Sequence, residues 1–211
     1  MVKSCLKAIL TAICSALLVA GVQAQSAPPP PPPPARDYPI AEWKTFTSDP
    51  WKFSALMPTT PKEETSVERN VKQHTFKSFM SQHTFQINCY ESDSEPASLE
   101  IAAKNVRNAL LRGETAKMLR DEKTNLGSYE GREMAIAITR SHTFGAGDKP
   151  VISKSMVQAK VFAVGRRVYL LIATSLNQDA ETKEAQAFLD SFKLLDMAEV
   201  KKLAQPNSKN R

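Results

Sequence analysis

The chain has 211 residues, of which 28 are basic, 22 acidic and 42% hydrophobic. The excess charge sits at the ends: Lys3 and Lys7 come first, Lys201, Lys202, Lys209 and Arg211 last, and residues 25–200 hold 22 of each sign. That balance, with no basic stripe carrying interleaved aromatics, argues against a nucleic-acid surface; the one cysteine beyond residue 24, Cys89, excludes an internal disulfide.

Residues 1–24 read as a signal peptide. Lys3 and Lys7 form a positive start, Ala8 to Val22 is almost wholly apolar, and Val22-Gln23-Ala24 offers the small residues that predict cleavage before Gln25. The apolar stretch is short for a spanning helix of about 20 residues, and bulky Ile13 before Cys14 argues against lipid attachment. The mature protein is therefore expected outside the cytoplasm, periplasmic or extracellular. Residues 25–39 read as a Pro-rich spacer. The seven prolines from Pro28 to Pro34 lack N–H donors and fix φ near −65°. Polyproline II at about 3.1 Å per residue makes them a stiff arm of about 20 Å.

Residues 40–195 form the expected single domain, and 196–211 a basic tail able to make weak contact with an anionic membrane surface. Two strands, 43–48 and 51–57, flank the turn signal Asp49-Pro50, and Trp51, Phe53, Ala55 and Met57 fall on one face at period two. Residues 67–79 and 82–91 read as a long hairpin about Met80-Ser81. An amphipathic helix follows between Pro96 and Gly113, burying Leu99, Ala102, Ala103, Val106 and Leu110. Strands are predicted at 116–124, 132–143, 152–164 and 167–175. The last, RVYLLIATS, is apolar on both faces, as a central strand covered twice would be. A closing helix, capped at Asn177 or Asp179, buries Ala185, Phe188, Leu189 and Phe192. Strands, helix, strands, helix gives an α+β fold: a central, mainly antiparallel sheet flanked by helices in an α/β/α sandwich.

The search for chemistry assigns no catalytic, cofactor-binding or metal residue. Three histidines recur in one tripeptide, at His74, His83 and His142. A hairpin about Met80-Ser81 places His74 opposite residue 87, four positions from His83, or roughly 13 Å at about 3.3 Å per residue. Metal–nitrogen bonds of about 2 Å cannot bridge that gap. Cys89, in the alternation Phe85, Ile87, Cys89, reads as a buried structural thiol. Gly145-Ala146-Gly147-Asp148 suggests a phosphate cradle but lacks a following helix, so a mobile hairpin loop is expected. In NLGSYEGREM (125–134), Gly127 and Gly131 are expected to supply positive φ. Arg132 and Glu133, adjacent in a strand, point to opposite faces. Met134, Ile136 and Ile138 then share one face, with Ala135 and Ala137 on the other, beneath a helix.

The phrases FSALMPTTPKEE, NLGSYEGREM, VFAVGRRVYLLIA and AQAFLDSFKL together resemble bacterial exported proteins of the PsbP-like superfamily, over about Trp43 to Leu194. The resemblance implies an α/β/α sandwich and a binding or assembly role without a shared catalytic apparatus. Where relatives carry Gly-Tyr-Pro-Gly-Arg-Glu, this chain has Ser128 and Glu130 in place of the first glycine and the proline. The expected function is an exported, non-enzymatic binding or accessory protein of the bacterial envelope with a protein partner. The alternative is a small-ligand binder or enzyme whose site assembles only in space.

Overall fold

A computed structural model describes residues 39–195 apart from 69–70, 93–95, 113–114, 143–150 and 179. The signal, the proline run, the basic tail and the Gly145–Asp148 loop lie outside the described residues. Ten strands are present among the described residues: β1 (Lys44–Ser48), β2 (Phe53–Met57), β3 (Lys62–Glu68), β4 (Val71–Met80), β5 (His83–Ser92), β6 (Ala116–Leu126), β7 (Tyr129–His142), β8 (Val151–Val164), β9 (Arg167–Leu176) and β10 (Lys193–Leu194). Two α-helices join them, α1 (Leu99–Leu110) and α2 (Lys183–Ser191).

Seven strands form one antiparallel sheet in the order β3-β4-β5-β9-β8-β7-β6, and β1-β2-β10 form a smaller one. β9 stands at the centre, as its two-sided apolarity predicts. Tyr169 and Leu171 enter one core with Phe53, Phe76, Phe85 and Phe188, while Val168 and Leu170 enter another with Val106, Met134 and Ile136. α1 covers the second core. α2 and the small sheet together cover the first. The molecule is thus a mainly antiparallel sheet with flanking helices, richer in strand than a sandwich with purely helical outer layers. The reason is local: the period-two row Phe53, Ala55 and Met57 makes β2 an inward-facing strand rather than a helix.

Four expectations change. The run 67–79 is not one strand, because Glu68 pairs with Val71 and Lys62–Glu68 forms a separate edge strand. KEETSVE is polar apart from Val67, so periodicity gives no signal there. The next hairpin turns at Ser81-Gln82, with Met80 opposite His83 and Ser81 at φ 43°. α2 is capped by Thr182, whose Oγ1 accepts from Ala185 N at 3.2 Å, and not by Asn177, which sits at φ 56° in a turn. Finally, α1 packs over the Met134 and Ile136 row rather than the alanines, since the larger side chains bury more apolar area.

Candidate functional site

Arg132 and Glu133 diverge as strand geometry requires, and each belongs to a separate charge cluster. On the α1 side, Asp121 of β6 holds two guanidinium groups. Arg132 reaches its Oδ1 at 2.5 Å, and Arg107 of α1 bonds its Oδ2. The carboxylate therefore ties helix α1 to the β6–β7 edge. On the other side, Glu133 accepts from Arg120 Nη2 at 2.7 Å and faces Lys160 Nζ at 3.2 Å. Lys160 also donates to Asp190 of α2 at 2.6 Å. Arg120 extends the cluster to Glu181 at 2.9 Å, and Gln158 Nε2 bonds the same carboxylate at 3.1 Å.

Lys160 is buried and carries two carboxylate partners, as a buried cation requires. Burial pushes the Asp190 carboxyl up, but the bonds from Lys160 and Gln186 outweigh it and hold it below the usual 3.8. No sequence pattern announces this cluster as a whole, whose members come from β6, β7, β8, α2 and the segment just before α2. One signal was available: Lys160 interrupts the apolar run of VQAKVFAV in β8. The geometry anchors a helix to a sheet.

The glycines of the 125–134 stretch do different work. Gly127 has φ 60° and makes the β6–β7 turn. Gly131 is extended within β7 opposite Phe162, and a Cβ there would stand 2.4 Å from the phenyl ring. It is a glycine because a ring lies on it, not because of its φ.

His74 pairs across the ladder with Cys89 and not with residue 87, so it stands six residues along β5 from His83, about 20 Å. The slip to a Ser81-Gln82 turn widens the gap. His74 Nδ1 lies 2.7 Å from Thr65 Oγ1 and Nε2 lies 3.3 Å from Glu63 Oε2. Its ring packs 4.6 Å from Phe76 and 6.0 Å from Trp51. This hydroxyl–imidazole–carboxylate row can share a proton, and no sequence pattern announces it, because Glu63 and Thr65 lie on the polar edge strand. Glu63 is 53% exposed, so water has free access to the row. His83 Nδ1 meets Ser175 Oγ at 2.9 Å. Among the described residues no three His, Cys, Asp or Glu side chains gather closely enough to hold a metal ion. Cys89 is fully buried, and burial pushes its thiol well above the ordinary value. Tyr169 is likewise pushed up to about 12 by burial, against Arg167, while its hydroxyl donates to Trp51 O at 2.8 Å.

No protein-family model matches the chain, and no curated protein does. Among solved structures, it is similar to the Ran-binding protein Mog1p of Saccharomyces cerevisiae, at 8% identity over 74% of this chain and 96% of Mog1p, with a TM-score of 0.42. It is similar also to a protein of Bacteroides thetaiotaomicron VPI-5482, at 13% identity over 73% of this chain and 49% of that one, with a TM-score of 0.34. At these values neither likeness supports an assignment.

Proposed function

We propose that this chain is an exported, non-enzymatic binding or accessory protein of the bacterial envelope, a member of the PsbP-like superfamily that works through protein–protein contacts. The signal-like residues 1–24 and the proline run Pro28 to Pro34 support the exported reading. The observation that carries the reading is a rim of exposed apolar side chains. Phe79, Leu119, Val151, Ile152 and Leu176 are between 49% and 65% exposed. All lie toward the end of the large sheet where β4, β7 and β9 finish and β6 and β8 begin, by the ladder pairings. Exposed apolar side chains along one end of a sheet suit an interaction surface. In vivo crosslinking in the native envelope tests this with the wild type and a Phe79→Asp/Leu176→Asp variant of matched thermal stability. One partner captured by the wild type and lost by the variant supports the rim; equal capture by both removes it.

A second reading, a small-ligand binder or enzyme, is favoured only by the Glu63, His74 and Thr65 row. Equal turnover of activated esters by the wild type and His74→Gln would eliminate that role.

A further inference from the structure

The two edges of the large sheet are built differently. β6 is blunted by an irregularity between Met118 and Arg120, and its Arg120 and Asp121 are drawn into ion pairs on the two faces. An irregularity of this kind keeps an edge from pairing further. β3 has no such irregularity, and its Glu63 and Glu64 stay exposed although they bond His74 at 3.3 Å and Lys62 at 2.8 Å. It keeps unbroken register with β4 from Lys62↔Lys77 to Glu68↔Val71, contains no proline, and places none of its described side chains in either core. No described strand pairs with its outer side. Val67, at 70% the most exposed of the large apolar residues described, lies on it. Glu63 and Glu64 project to opposite faces, because neighbours in a strand alternate, and both are more than half exposed. The strand carries three glutamates against one lysine.

We infer that the outer edge of β3 is a strand-addition site for an extended, basic segment of a partner protein. The outer N–H and C=O row, which no described strand pairs, supplies the ladder, while the adjacent glutamates select lysine or arginine on both faces of the incoming strand and Val67 offers an apolar contact. The inference rests on the binding-protein reading, but its test uses purified protein and a defined probe. Its failure therefore leaves capture through the apolar rim untouched.

The probe is a soluble nine-residue peptide of threonine and valine with two adjacent central lysines. Its controls are the same peptide with two glutamates and the lysine peptide N-methylated at alternate residues. Hydrogen exchange at single-residue resolution is expected to slow in β3 with the lysine peptide alone. Affinity should fall at least tenfold in Glu63→Lys/Glu64→Lys, and fall as salt rises. Because β3 feeds neither core, that variant should melt like the wild type. The N-methylated peptide gives an independent answer if it does not. Equal binding of the lysine and glutamate peptides, equal binding of the N-methylated peptide, or unchanged β3 exchange at millimolar lysine peptide would each overturn the inference. The glutamates would then be the ordinary charges that keep an edge strand solitary.

Discussion

Replacing Gly131 by alanine isolates the reason for a glycine in the middle of a strand. The added Cβ would stand 2.4 Å from Cδ1 and Cε1 of Phe162 and 2.9 Å from the carbonyl oxygen of Val161. Ordinary contact needs about 1 Å more, and the ring has little room to retreat. Phe162 is 2% exposed and lies parallel to Phe192 at 6.2 Å, while the Val161 carbonyl belongs to the ladder. Overpacking of this kind costs about 1–3 kcal/mol. The stiffer unfolded chain returns about 0.4–1 kcal/mol. The net expectation is a loss of about 1–2 kcal/mol, or about 2–8 °C in Tm for a domain of this size. Thermal melts and urea unfolding of Gly131→Ala measure it. In a Phe162→Leu background the same substitution should cost less, a coupling that a double-mutant cycle reads directly. A Tm for Gly131→Ala equal to or above the wild type would refute the reasoning.

Lys160→Met should destabilise by about 3 kcal/mol in urea unfolding, because it strips the cation from partly buried Glu133 and from Asp190. Adding Glu133→Gln should recover part of that loss, and no recovery would show that the lysine acts by packing. The Asp190 carboxyl is held below 3.8 in the folded state, so its stabilisation is present above that value and disappears as pH falls below it. Asp190→Asn should therefore flatten the acid limb of stability below pH 3.8 relative to the wild type; an unchanged limb would show that other carboxylates set it. Cys89 should react with a thiol reagent only through opening of the domain, at a rate that climbs with denaturant, since it is buried and its thiol is held protonated. Labelling in native buffer as fast as in a short peptide would contradict its place in the core. Tyr169→Phe removes the donor to Trp51 O and should lower stability by about 1 kcal/mol.

Features that depend on a single element were legible before the fold was. Period-two apolarity marks β2 and its buried row, helical spacing marks both buried helix faces, and the two-sided run Arg167–Leu176 marks the centre of the sheet. Adjacency in a strand is enough to separate Arg132 from Glu133. Each of these follows from backbone periodicity and from the free energy of removing apolar area from water, both written locally. Four matters needed the tertiary structure. β3 carries no apolar pattern because as an edge strand it buries little, so only its ladder with β4 reveals it. The turn at Ser81-Gln82 was settled by where β4 and β5 bury Phe76, Phe85 and Ile87 together, which moved His74 farther from His83. Gly131 is required by a phenyl ring 31 residues away in the chain, and Lys160 is tolerated because β7 and α2 bring Glu133 and Asp190 to it. Close packing and the pairing of buried charge are conditions on atoms from separate elements, and only the assembled sheet sets those atoms side by side.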